Sequence, residues 1–321
     1  MMMVYVLIVS WKIKEMKVNN LMEIFKYIKP TQEKLFKMLK SSFKGSICKK
    51  GKYILVKGEA PVMLVAHLDT VHVQPVTTIC ISEDRNILMS PQGIGGDDRC
   101  GVYALCSVYR GTKKKPWLLF TCDEELGCIG ASDFARDYEN NRLPKELSQL
   151  KMLIEVDRRG NNDAVYYECC KTDFEEYITS KGFITANGSV SDISYIAPEL
   201  GVAAVNLSSG YYNPHTTHEY INMADINATI EKIKDIVEES VSDDVPQFIY
   251  EGVFDDCYWY YGDGGCYGER LDISSKLNAK QKSMYDELLT FYDEEELNMY
   301  ICDFGPDVLK DIYKSEIGGH K

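Results

Sequence analysis

Val62-Met63-Leu64-Val65-Ala66-His67-Leu68-Asp69-Thr70-Val71 is the stretch whose reading decides the fold. Its first five residues are an apolar run of strand length, and the run ends in an imidazole followed by a carboxylate. The same arrangement recurs downstream. Trp117–Thr121 reads as a buried strand and runs into Cys122-Asp123-Glu124-Glu125-Leu126-Gly127, and Met152–Val156 runs into Asp157-Arg158. Tyr53–Lys57, Ala164–Cys169 and Ala203–Leu207 read as further strands. Between them lie helical patterns: Asp97–Arg110 after a glycine turn, Gly130–Tyr138, and Asp173–Lys181 closed by Gly182. Ala224–Ser240 carries Ile226, Ile230, Ile233 and Val237 on one face. Ahead of them all, Leu21–Lys44 is amphipathic through Ile24, Ile28, Leu35 and Leu39, with Pro30 as an interruption. Strands alternating with helices predict an α/β fold: three α/β/α layers around a mixed, mostly parallel central sheet.

The composition, 45% apolar and 26% charged, excludes wholesale disorder and a fibrous repeat. No run of eighteen apolar residues is present, which excludes a spanning helix of ordinary length, and Met1–Trp11 makes a poor signal peptide. Eleven scattered cysteines without a Cys-x-x-Cys pair read as reduced thiols and point to the cytoplasm. The net charge of −13 is uneven: residues 1–237 hold 29 acids and 29 Lys plus Arg, whereas residues 238–321 hold 20 acids and 7 Lys plus Arg. The expected organisation is a lead over 1–20, a catalytic domain over 21–240 and an acidic, Tyr-rich extension over 241–321. The acidic end argues against nucleic acid as a partner.

Five stretches place His, Asp or Glu directly after an apolar strand or at a helix start: His67 to Asp69, Gly96-Asp97-Asp98-Arg99, Asp123-Glu124-Glu125, Glu155-Val156-Asp157, and Asn213-Pro214-His215-Thr216-Thr217-His218-Glu219. In an open α/β sheet such strand ends meet along one edge, where ligands bind. Acids gathered there repel one another, and divalent cations relieve that repulsion. A carboxylate and imidazole set without thiolate suits zinc, manganese or cobalt.

In order and chemistry, His67-x-Asp69-x-Val71, Gly96-Asp97-Asp98-Arg99-x-Gly101, Asp123-Glu124-Glu125-x-Gly127, Asp157 and His215 resemble the co-catalytic dizinc exopeptidases. That superfamily includes the peptidase T, glutamyl aminopeptidase and dizinc carboxypeptidase/deacylase types. The resemblance covers about residues 60–240 and has the flavour of peptidase T. It implies two divalent cations, zinc first, with manganese or cobalt as alternatives. His67 and Asp157 would bind one, Glu125 and His215 the other, and Asp97 would bridge them. Asp69 would fix the His67 tautomer. Glu124 would act as general base toward a hydroxide shared by the metals. A cis peptide after Asp97 is also implied. His215 is preferred to His218 as ligand because His215…Glu219 repeats the superfamily's His-x-x-x-Glu.

The implied activity is that of a zinc-dependent exopeptidase, an aminopeptidase on short peptides, acting without membrane or nucleic acid and compatible with a homo-oligomer. Two alternatives stand beside it: an N-acyl-amino-acid deacylase or amidase using the same metals, and an inactive member serving as a binding module. The chain departs from the superfamily in spacing. Only 30 residues separate His67 from Asp97, and 58 separate Asp157 from His215, which leaves no room for an inserted lid or dimerisation domain. The histidine that such a lid supplies to the oxyanion is therefore missing, and His218, Tyr211 and Tyr212 are the candidates to replace it. Three other readings stay open between site and scaffold. His72 is either a substrate contact or a loop-surface residue, and Asp192 either lines the pocket or caps a helix. Arg158 pairs with a substrate carboxylate or with a nearby acid. Cys100, Cys122 and Cys128 are expected as small buried residues.

Overall fold

The computed structural model describes residues 21–167, 169–170, 172–251, 277–289, 297, 301 and 308–316. The lead over 1–20 and most of the aromatic stretch Phe248–Gly268 lie outside these residues. Two compact units divide the chain, Met1–Gly252 and Val253–Lys321.

The first unit is built on an eight-stranded sheet. Its strands are β1 (Ile47–Lys49), β2 (Tyr53–Val56), β3 (Val62–His67), β6 (Trp117–Thr121), β7 (Met152–Arg158), β8 (Asp163–Val165), β9 (Ile184–Thr185) and β10 (Ala204–Ser208), in the order β1-β2-β6-β3-β7-β10-β8-β9. The middle four, β6, β3, β7 and β10, are mutually parallel. The predicted α/β class and mostly parallel sheet are thus found. Every residue of β3 is buried, as a central parallel strand requires. Its side chains alternate: Val62, Leu64 and Ala66 enter one core, Met63 and Val65 the other.

The first core lies beneath α1 (21–28), α2 (Gln32–Ser42), α3 (Gly96–Gly111), α5 (Thr172–Ser180) and α7 (Met223–Glu239); the second lies beneath α4 (Ile129–Glu139) and α6 (Asp192–Leu200). These are the two helical layers. The predicted Leu21–Lys44 helix divides at Pro30 into α1 and α2, because a proline and its preceding residue do not continue a helix. The strand expected over Ala164–Cys169 stops at Val165, where Tyr167 takes a left-handed φ of 47°.

A second, four-stranded sheet was not foreseen. It pairs β11 (Tyr211–Tyr212), β12 (Tyr220–Asn222), β5 (Ile87–Met89) and β4 (Cys80–Ile81). Strands of two or three residues carry no period that a sequence can display. The unit continues through residues past Pro246: Phe248 is buried and its ring lies 4.8 Å from that of Phe174. In the second unit, α8 (Ala279–Leu288) and α9 (Val308–Glu316) share a core of Met284, Tyr285, Leu288, Leu297, Ile301 and Leu309. No described helix is long and apolar enough to cross a membrane.

Candidate metal centre

Strand register brings the ionisable residues together. His67, the last residue of β3, pairs with Thr121, the last of β6, and the β6 strand then releases Asp123, Glu124 and Glu125. On the other side of β3, Val65 pairs with Glu155, two residues before Asp157. The chain leaves β3 for β6 on one flank and returns to β7 on the other, so β3 lies at a topological switch point, where α/β sheets bind ligands.

Asp97 enters from the start of α3, where the Asp97–Asp98 peptide is cis. Asp98 is fully buried and acts locally: it accepts from the His67 N–H at 3.3 Å and the Gly101 N–H at 2.8 Å. Only glycine fits at 101, since a Cβ there would lie 2.1 Å from the Val156 carbonyl oxygen. His215 arrives on the β11–β12 hairpin, in left-handed backbone with φ 61°. Pairing of β12 with β5 ties that hairpin to the loop between β3 and α3.

The side chains converge on Asp97. Its Oδ1 lies 3.1 Å from His67 Nε2, and its Oδ2 lies 3.3 Å from His215 Nε2. His67 Nε2 is also 3.5 Å from Asp157 Oδ1, and His215 Nε2 is 3.2 Å from Glu125 Oε2. Two donor groups result, His67–Asp97–Asp157 and Asp97–Glu125–His215, each with ligand atoms within 4.8 Å of one another and sharing only Asp97. Glu124 Oε2 stands 3.9 Å from His67 Nε2, and a His67–Glu124–Glu125 grouping meets the same distance limit.

Asp69 holds this assembly from behind. Its Oδ1 lies 3.2 Å from His67 Nδ1, and its two oxygens accept the Glu124 and Glu125 N–H groups at 3.1 Å each. One carboxylate thereby sets the ring of one candidate ligand and the backbone of the loop carrying another.

The acids gathered here oppose one another in a way that cations would relieve. Burial pushes the Asp157 carboxyl well above its ordinary value, and the neighbouring Asp97 adds to this. Burial also raises Glu124 and Glu125. Burial opposes charge on Asp97 too, but His215 and His67 outweigh it and hold it low. The hydrogen bond to Asp97 pushes His215 up to about 9. Burial disfavours a charged His67, yet Asp157, Asp69 and Asp97 hold its pKa well above that of free imidazole. The Glu125 Oε1 atom is buried without a hydrogen-bond partner. A donor set of two imidazoles and three carboxylates, with an orphaned oxygen inside it, fits two borderline-hard divalent cations.

The oxyanion candidates separate. Tyr211 reaches the centre, its hydroxyl donating to the Asp157 carbonyl at 3.0 Å with Asp157 Oδ1 at 3.4 Å. Tyr212 is not brought to it; its hydroxyl donates to Asp225 at 2.7 Å and its ring stacks on Tyr220. His218 is exposed on the hairpin that carries His215. Arg158 faces Asp163 at 3.5 Å and donates to the Asn187 carbonyl. Cys100, Cys122 and Cys128 are buried, and all eight described cysteines are free thiols.

Some residues matter more than their spacing announced. Glu219, fully buried, accepts from the Gly95 and Asp97 N–H groups at 2.9 Å each and meets His72 Nε2 at 2.7 Å. It orients the shared aspartate. Asn206 accepts the Asp157 N–H at 2.9 Å. Asp192 is not the cap of α6; Ser191 holds that position, while Asp192 is buried and accepts from the Thr121 hydroxyl. The partners of these residues are set by tertiary contacts across 71 to 147 positions or by neighbouring strands, which no local motif encodes.

The sequence profile of peptidase family M28 matches residues 52–237. Among solved structures, the chain is similar to aminopeptidase PepT from Bacillus cereus ATCC 10987, with 15% identity and a TM-score of 0.51 over 71% of this chain and 99% of that one. It is similar to a tripeptidase from Staphylococcus aureus, with 14% identity and a TM-score of 0.52 over 70% of this chain and 98% of that one. It is also similar to an aminopeptidase from the archaeon Desulfurococcus kamchatkensis, with 13% identity and a TM-score of 0.52 over 70% of this chain and 95% of that one. At these identities the likeness is one of fold. No curated protein matches by sequence.

Proposed function

Because the chain belongs to peptidase family M28, we propose that it is a metal-dependent exopeptidase, an aminopeptidase on short peptides, with its centre at the carboxyl ends of β3, β6 and β7. The observation that carries this reading is Asp97, whose two oxygens face two separate imidazole–carboxylate groups. His67 and Asp157 would hold one cation and Glu125 and His215 the other, with Asp97 common to both. Zinc suits the donor set, and manganese or cobalt would be accepted. Such cations, when bound, polarise a scissile carbonyl and acidify a water. The chain's own residues do the rest. Asp69 keeps His67 in one tautomer by taking its Nδ1 proton in a hydrogen bond. Glu124, raised by burial, takes the water's proton at its carboxylate and delivers it to the departing amine. His218, exposed on the hairpin of His215, and Tyr211, whose hydroxyl lies at the candidate ligand Asp157, are the groups we assign to the oxyanion side; Tyr212 is the least suited, its hydroxyl donating to Asp225, which is not a candidate ligand.

The test is metal content together with hydrolysis of an aminoacyl amide and of an N-acyl amino acid by the full chain, with and without chelator. Bound metal and chelator-sensitive release from the amide are expected. Turnover of the acylated amino acid alone would make the chain a deacylase, and neither metal nor turnover would leave a binding module.

Proton linkage gives a second expectation. His215, pushed up to about 9 by its hydrogen bond to Asp97, holds its proton at neutral pH, and the acids around His67 shift that ring in the same direction. Metal requires both rings neutral, so binding releases protons, and apparent affinity climbs as pH rises towards about 9. Zinc titration calorimetry near neutral pH, in two buffers of different ionisation enthalpy, should show net proton release; identical heats in both would count against the assignment.

A further inference from the structure

Residues 21–42 lie outside the segment matched by the family profile, yet they grip both loops that build the metal centre. Gln32, the first residue of α2, forms a reciprocal pair with Asp123. Its Nε2 donates to Asp123 Oδ1 at 2.7 Å, and its Oε1 accepts the Asp123 N–H at 3.2 Å. Asp123 sits in the left-handed region at φ 59°, immediately before Glu124 and Glu125. A residue in that region needs its surroundings to hold it there. The pair closes a contact across 91 positions, so it is a tertiary clamp and not a local turn.

The second grip is Arg99. It follows Asp97 and Asp98 and is 2% exposed. Its Nη1 donates to the Tyr27 carbonyl at 2.8 Å and the Pro30 carbonyl at 3.0 Å, the groups freed where α1 ends at the proline break. Thus the interruption between α1 and α2 offers carbonyls to the loop of the shared aspartate, and the next helix begins with the amide that holds the glutamate loop. Leu21, Ile24, Ile28, Leu35, Phe36 and Leu39 anchor the segment in the first core.

We infer that the Tyr27–Gln32 break is a strap that fixes the relative position of the Asp97 and Glu124–Glu125 loops, with Gln32 as the positioning residue. This rests on the metal-centre reading above. Orientation of ligands by hydrogen-bonded neighbours is worth roughly 10- to 100-fold in metal affinity or activity.

The test uses the full chain and two readouts, zinc affinity by competition with a chromogenic chelator and the kinetics of aminoacyl-amide hydrolysis. Gln32→Met removes both bonds at similar volume, and about a 10-fold loss in zinc affinity or in kcat is expected, with KM within about 2-fold. Gln32→Glu should be worse, because it sets two carboxylates against each other. The double variant Gln32→Glu/Asp123→Asn restores the side-chain bond with donor and acceptor exchanged, while the backbone N–H of residue 123 still donates to residue 32, and recovery to within about 3-fold of the parent is expected. Parent-like values in Gln32→Met, or a double variant no better than Gln32→Glu alone, would overturn the strap. A parent that binds zinc but hydrolyses nothing would sink the peptidase reading while the affinity arm still decides the strap. A parent that binds no zinc would remove both.

Discussion

Glu124→Gln yields a chain that folds, takes up its metal and turns over almost nothing. The substitution keeps the shape of the side chain and removes its ability to accept a proton. Glu124 presents Oε2 at 3.9 Å from His67 Nε2, while Oε1 receives the Cys128 thiol at 3.7 Å. Burial raises its pKa, which brings a carboxylate closer to the proton affinity that a general base needs. Loss of general-base catalysis costs about 100- to 10,000-fold, and the loss should fall on kcat. Metal content, measured by elemental analysis on the same preparation, should match that of the parent. A variant that keeps a tenth of the parental kcat would show that Glu124 is not the base; one that loses a cation would make it a ligand.

Asp97→Ala should act on metal binding itself. Every other candidate ligand belongs to one of the two imidazole–carboxylate groups that Asp97 joins, and Asp97 alone belongs to both. Its N–H is fixed by Glu219 and its oxygens face His67 and His215 at 3.1 and 3.3 Å. Removing it should weaken both cations by at least about 100-fold and abolish hydrolysis. His215→Ala is the control: it should spare the cation of His67 and Asp157 and release only the other. Equal loss in the two variants would contradict a shared aspartate.

The fold and the candidate ligands were readable for a common reason. Val62–Ala66, Trp117–Thr121 and Met152–Val156 are long enough to show as buried strands, and each ends at the residues that form the centre. Parallel register then does the assembly, since strands starting level end level. What could not be read were contacts between segments without a pattern of their own. The small sheet that places His215 consists of strands of two or three residues. Glu219 was legible as part of a spacing, but its grip on Gly95 and Asp97 depends on that sheet. Gln32 had no signal of its own within the Leu21–Lys44 helical pattern. The missing insertion was readable: the 58 residues between Asp157 and His215 are taken up by β8 to β11, α5 and α6.

The two halves of the centre differ in footing. His67 and Asp157 stand on neighbouring strands in the middle of the sheet, and the His67 side chain is wholly enclosed. Glu125 and His215 stand on loops, and the His215 side chain is 55% exposed. The sheet-borne half is bedrock, since shifting it would mean slipping a central strand. The loop-borne half borrows its footing from distant parts of the chain, Asp69 and Gln32 for the Glu125 loop and the β5–β12 pairing for the His215 hairpin, so substitutions far from the centre should reach it first.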